Sequence, residues 1–152
     1  MARQVRVDVQ VEGATALQKK ARLLGEEDMP YLRPALERSG DRLAGAAASR
    51  APGGIGRAVD FGGVSGKAHG LRANVLVKHP AAKATEFGRT TYYEGFTDRQ
   101  QKKTGRPFRS AGQRARPFIG IKEGNAAIGS TKDEIRDDIA DAVSKEWERL
   151  EP

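Results

Sequence analysis

The chain contains no cysteine, which excludes a disulfide scaffold, a thiolate metal site and a thiol nucleophile. Its two histidines, His69 and His79, have no carboxylate at ligand spacing, whereas a metal needs three or four converging ligands. Both read as surface or strand-end residues. No apolar run approaches the ~20 residues of a membrane span, and the opening residues lack the apolar core of a signal peptide. Acidic residues are in deficit: 20 Asp and Glu against 27 Lys and Arg leave a formal charge of +7. Hydrophobic residues are scarce as well, at 38% with a mean hydropathy of −0.63, so one core within 152 residues must be lean. These absences predict a basic, soluble, intracellularly made single domain spanning residues 1–152, without cofactor or metal, and make an enzyme the weaker reading.

What is present is a set of well-marked segments. Val5, Val7, Val9 and Val11 alternate with polar residues, the pattern of a strand with one buried face. Leu17, Ala21 and Leu24 fit one face of a short helix that Gly25 ends. A longer helix is expected from Asp28 as N-cap and Pro30 in its first turn, with Leu32, Leu36, Leu43 and Ala47 as its stripe. The small side chains of Ala44–Ala48 would let another backbone approach, and Ala51-Pro52-Gly53-Gly54 stops the helix. A short strand over 57–61 and a better one over 71–78 pair most simply as an antiparallel hairpin across the glycine-rich stretch 62–70. Helical turns follow over 81–88. Residues 117–121 read as a last strand, with a turn at Gly124-Asn125. Ser130 or Thr131 with Asp133 or Glu134 resembles a capping-box start. Ile135, Ile139, Val143, Trp147 and Leu150 then hold one face of the final helix, with Trp147 as its core anchor. The predicted class is α+β: a small, mainly antiparallel β-sheet with a long central helix and an amphipathic C-terminal helix packed on one side, plus a long basic loop.

Motifs that suggest chemistry are incomplete. Phe61-Gly62-Gly63-Val64-Ser65-Gly66-Lys67-Ala68 has phenylalanine where a phosphate-binding loop needs its first glycine, and alanine where it needs Ser or Thr. It also misses the nucleophile elbow, because Lys67 occupies the place of the second glycine. Glu86 could be imagined as a general base, but without an acid partner or nucleophile it reads as a helix-end carboxylate paired with a neighbouring arginine.

Charge is concentrated in residues 89–116, where eight basic and two acidic side chains supply +6. Arg89, Arg99, Lys102, Lys103, Arg106 and Arg109 are interleaved with Tyr92, Tyr93, Phe96 and Phe108. A loop of this length is uncommon in a compact domain. It can be a solvated loop, a nucleic-acid contact through phosphates and stacked bases, or an arm that orders against another protein. Four aromatics on one tether exceed what phosphate attraction requires and favour the protein-contact arm.

In order, these segments resemble a family of tailed-bacteriophage neck proteins, the head–tail joining or tail-completion proteins of long-tailed phages, related to the gene-ten product of a lambda-like coliphage. The resemblance covers about residues 30–149. It rests on an Ala-rich helix closing in Ala51-Pro52, a glycine-containing turn into a hairpin, Glu86-Phe87-Gly88, Arg116-Pro117-Phe118-Ile119, and the amphipathic C-terminal helix. The chain departs from the family pattern at Ala82, Lys83 and Ala84, at Arg89, and over Gly54–Ala58. The resemblance implies a non-enzymatic virion structural protein at the head–tail junction, made and assembled in the bacterial host cytoplasm. Implied partners are further copies of itself in a ring, expected to be a hexamer, other connector rings below the portal, and the tail terminator or tail-tube protein. Double-stranded DNA would pass through the ring, and no membrane is involved. A tail terminator on the tail tube is the near alternative; a small basic nucleic-acid-binding protein is the alternative of a different class.

Overall fold

The computed structural model describes residues 4–11, 14–25, 28–65, 71–88, 92–94, 108–110, 114–121 and 126–151, with 92–94 and 108–110 described at the level of the backbone. The elements run β1 (Val5–Gln10), α1 (Ala14–Leu23), α2 (Leu32–Arg50), a 3-10 helix (Gly53–Ala58), β2 (Val59–Ser65), β3 (Arg72–Val77), α3 (Ala82–Phe87), β4 (Tyr92–Glu94), β5 (Phe108–Ser110) and α4 (Ala126–Leu150). The class is α+β, as the patterning indicates. His69, the Gly124-Asn125 turn and most of the basic tract lie outside the described residues.

The three-stranded sheet is antiparallel in the order β1-β3-β2. Register follows apolar alternation: Val5 faces Val77, Val7 faces Val75 and Val9 faces Ala73. Slipping by one residue would turn every valine of β1 to the wet face. That face carries Arg6, whose guanidinium bonds Asp8 Oδ1 at 2.9 Å and Asn74 Oδ1 at 2.8 Å. β2 keeps the same logic with one interruption. Val59 and Phe61 oppose Val77 and Val75, the register then shifts between Phe61 and Gly63, and Val64 opposes Ala73. The bulge restores Val64 to the apolar face, and Gly63 there has φ +93°. The strand therefore runs to Ser65, past the point where simple alternation fails.

α2 and α4 pack on each other, and α2 lies on β2 and β3. The core joins Leu43, Ala47, Ile55, Val75, Val77, Phe118 and Ile119 with Leu17, Met29, Leu32, Leu36 and Leu71. Small side chains on α2 permit the close approaches expected of them. A Cβ on Gly56 would stand 2.6 Å from the Ala48 carbonyl oxygen, and one on Gly40 would strike the Phe61 ring.

Four local expectations are corrected. Leu24 is exposed, because α1 ends at Leu23 and the chain turns at Gly25, φ +72°. Asp28 does not cap α2. The helix begins at Leu32, Tyr31 supplies no side-chain cap, and Glu146 of α4 accepts the N–H groups of Tyr31 and Leu32, the latter at 3.2 Å. Ser130 and Thr131 do not start α4. They sit one turn inside it, and their hydroxyls donate to the Ala127 carbonyl at 3.1 and 2.6 Å. Finally, the stripe of α4 docks chiefly on α2 rather than on the sheet. Ile135 and Leu150 are buried, while Ile139, Val143 and Trp147 are half-buried. Trp147 is therefore no fully enclosed anchor; Lys20 Nζ lies 5.0 Å from its ring centroid, a cation–π contact.

A bidentate ion pair spans α2 and α4: Arg38 Nε and Nη2 donate to Asp138 at 3.1 and 2.9 Å. This hydrogen bond holds the Asp138 carboxyl below its ordinary 3.8 against the opposing effect of partial burial. The unfolded chain binds this proton more readily, so the pair stabilises the fold above about pH 4 and the contribution fades as pH falls through the lowered value. Because Arg38 is half-exposed, the effect is at most about 1 kcal/mol. Urea titrations at pH 7 and pH 3 should show a smaller acid-dependent loss in Asp138→Asn than in the parent.

Candidate functional site

The two short motifs flanking the basic tract meet in space. α3 is stopped by Gly88 at φ +74°, whose N–H bonds the Ala84 carbonyl at 2.7 Å. On the last turn Glu86 points inward and is 3% exposed. Its Oε2 accepts the N–H groups of Phe118 and Ile119 at 2.9 and 3.0 Å. Its Oε1 accepts those of Gly120 and Ile121 at 2.7 and 3.0 Å. One carboxylate thus satisfies four consecutive amides, which charge-assisted hydrogen bonds do strongly.

This geometry overturns the strand expected over 117–121. In a strand successive N–H groups point to opposite sides, so four in a row cannot converge on one acceptor. Gly120, at φ +85°, provides the bend instead. It also overturns the pairing expected for Glu86: among the described residues its partners are backbone amides, not an arginine. Occupied by four donors, the carboxylate is placed as a clamp rather than as a base. Phe118 and Ile119 bury their side chains, and their carbonyls accept the N–H groups of Ala127 and Ile128 at 3.1 and 2.9 Å, supplying α4 with its missing cap. Pro117 precedes this turn, and Phe87 is exposed.

The clamp closes the base of the basic tract. Arg116 N–H bonds the Thr85 carbonyl at 2.7 Å, so the chain leaves after Gly88 and returns at Arg116 to the same place. Between these feet β4 and β5 form an antiparallel ribbon, with Tyr92 opposite Ser110, Tyr93 opposite Arg109 and Glu94 opposite Phe108. The tract is therefore not simply an aperiodic loop. Strands of three residues are too short to show alternation. Arg89, Phe96, Arg99, Lys102, Lys103 and Arg106, and the side chains of Tyr92, Tyr93, Phe108 and Arg109, lie outside the described residues.

The described residues form a cleft and a groove. A cleft of about 510 Å³ at the foot of the arm is lined by Arg114, Arg116, Thr85, His79 and the Pro52–Ile55 turn. His79 Nδ1 accepts the Ala81 N–H at 3.1 Å, consistent with a strand-end role. A larger groove of about 690 Å³ runs between β1 and α4, lined by Val7, Val9, Val11, Leu43, Ile128, Ile135, Ile139 and Val143 with Asp8, Lys132 and Arg136. The groove and the cleft share no residue. Among the described residues β1 lies at the edge of the sheet and has β3 as its one strand neighbour, an arrangement that leaves its outer row of backbone groups without a ladder partner there. Comparison with protein-family models, with curated proteins and with solved structures finds no match to this chain. Among the described residues no group of three or more His, Asp or Glu is placed to hold a metal ion, and no helix is long and apolar enough to cross a membrane.

Ile135, Ile139, Val143 and Trp147 all lie on α4, but Ile135, Ile139 and Val143 line the groove while Trp147 packs near α1. Sequence reasoning passed over Glu146. It is fully buried, caps α2 through Oε1, and holds Arg149 through Oε2 at 2.9 Å. The available signal was an acidic residue four places before Leu150 on the apolar stripe.

Proposed function

We propose that the chain is a virion structural protein of a tailed-phage head–tail connector, forming a ring that completes the tail and joins it to the DNA-filled capsid. The observation that carries this reading is the Glu86 clamp. It binds the Glu86-Phe87-Gly88 and Arg116-Pro117-Phe118-Ile119 motifs into one structural unit and uses that unit to hold both feet of a +6 arm. A charged arm on a fixed base serves contact with something outside the domain. Two surfaces that share no residue, the arm's foot and the β1–α4 groove, suit the head-to-tail contacts of a cyclic ring. The function needs no catalysis; it needs repeated, directional contact with neighbouring copies and with adjoining tail and connector proteins.

Disrupting the gene in the producing phage tests this. Filled heads and finished tails should accumulate unjoined, and purified protein added to the extract should join them into infectious particles. Normal yields of infectious particles without the protein would contradict the proposal. The nucleic-acid reading is favoured only by the basic tract and the paired arginines of its foot. It requires DNA binding by the purified protein that weakens steeply with salt and is lost when Lys102, Lys103, Arg106 and Arg109 are replaced by alanine.

A further inference from the structure

We infer that two copies of this chain pair through their β1 strands, antiparallel about a two-fold axis at Val7, each laying its strand along the β1–α4 groove of the other. The inference goes beyond the connector reading and does not rest on it. Three observations lead to it.

The first is an apolar groove beside a strand edge. Val7 and Val9 on one wall and Ile135, Ile139 and Val143 on the other line a space of about 690 Å³, and apolar walls favour a cover that removes them from water. Among the described residues β1 has β3 as its one strand neighbour, so its outer backbone groups can template another strand. Residues directly opposite in an antiparallel pair share one face of the sheet. A strand added with valine opposite valine therefore turns its own valines toward the groove.

The second is the symmetry of the strand's own sequence. Gln4-Val5-Arg6-Val7-Asp8-Val9-Gln10 reads the same in both directions except at Arg6 and Asp8, which carry opposite charges. Antiparallel pairing centred on Val7 sets Val5 against the second copy's Val9, Gln4 against its Gln10, and Arg6 against its Asp8. The one mismatch of the palindrome thus becomes a pair of ionic contacts related by the axis.

The third is what charge does to the competing registers. Moving the axis to Arg6 or to Asp8 keeps valine opposite valine but sets Arg6 against Arg6, or Asp8 against Asp8, and like charges directly opposite are destabilising. An axis between two residues sets valines against polar side chains. Within one chain Arg6 Nε holds Asp8 Oδ1 at 2.9 Å and Arg72 Nη1 lies 3.8 Å from Asp8 Oδ2, so the second copy extends a row of alternating charge. The charged groups lining the groove, Asp8, Lys132 and Arg136, are of both signs, and the incoming segment Gln4–Gln10 is itself neutral. A contact of this kind uses the same patch on both copies and closes at two; in the free protein it covers the edge that a ring neighbour would otherwise meet.

Sedimentation equilibrium of the full-length protein tests the pairing. The parent should form a dimer that dissociates on dilution. Arg6→Glu and Asp8→Lys each set like charges opposite at both symmetry-related places. Each should raise the dissociation constant by on the order of tenfold, with an unchanged far-ultraviolet spectrum. An equal mixture of the two variants should recover the parent's constant, because the acidic strand then faces the basic one at both places. The chain has no cysteine, so a nitroxide on Gln10→Cys, an exposed position, reads the register independently. Because Gln10 opposes the second copy's Gln4, the two labelled positions should be separated by about 20 Å of backbone. A dimer whose strength ignores both charge changes, a mixture as weak as its components, or labels far from that separation would overturn the pairing. Assembly that passes two copies and is indifferent to these variants would overturn it and leave the connector reading standing. A chain that stays monomeric to its solubility limit would overturn it as well, and the connector reading would then rest on the phage experiment alone.

Discussion

Replacing Glu86 by glutamine should destabilise the protein nearly as much as replacing it by alanine. Both carboxylate oxygens are in use, each accepting two amides at 2.7–3.0 Å. A glutamine keeps one acceptor oxygen and turns an NH2 group toward two buried N–H donors, which then have no partner. A buried donor left unsatisfied costs about 1–3 kcal/mol, and the cluster acts as a unit, so a loss of about 3–5 kcal/mol is expected for either variant. That is a large share of a stability that is typically 5–15 kcal/mol. At this chain length it lowers the melting temperature by on the order of 10 °C. Urea unfolding followed by circular dichroism measures it. A Glu86→Gln variant within about 0.5 kcal/mol of the parent, the usual range for a surface change, would show that the carboxylate does not hold the turn at 118–121.

Glu146 should behave differently, and the contrast is informative. Only its Oε1 caps α2; Oε2 faces the Arg149 guanidinium, which is partly exposed and can be rehydrated. Glutamine retains an oxygen for the amides of Tyr31 and Leu32, so Glu146→Gln should lose about 1 kcal/mol, the scale of a partly exposed charge-assisted contact. Leucine fills the space but leaves those amides without an acceptor at a helix start, and Glu146→Leu should lose about 2–4 kcal/mol. Equal losses in the two variants, measured by the same unfolding experiment, would argue that the Arg149 pair rather than the cap is what Glu146 contributes.

The contrast also shows what sequence can convey. β1, β3, the hairpin with β2, α2 and α4 were legible because each keeps a regular apolar period over several residues. The ends of those elements were not. Asp28 is a good N-cap by residue type, but α2 takes its cap from Glu146, more than a hundred positions away. Ser130 and Thr131 fit a capping box, yet the carbonyls of Phe118 and Ile119 supply the start of α4. β2 looked finished at Phe61, because a bulge breaks the alternation that continues beyond it. In each case a tertiary partner replaced the local signal. The candidate site divides in the same way. Glu86 and the 116–119 segment were visible as separate motifs, and the tract between them as a concentration of charge. That one carboxylate gathers four amides and closes the tract's base depends on a fold-level approach that spacing along the chain does not encode. The groove was hidden because Ile135, Ile139 and Val143 fit a core stripe equally well whether another element covers them or not.

The proposed role requires the arm to be a contact made between polypeptides inside a multi-copy collar. A high-resolution electron-microscopy reconstruction of the head–tail junction in the mature particle tests this most directly. It should place the chain in a closed ring, with residues 89–116 of every copy against another polypeptide and their feet held by Glu86. A reconstruction in which the ring is built from other proteins, or in which that segment touches no other chain, would contradict it.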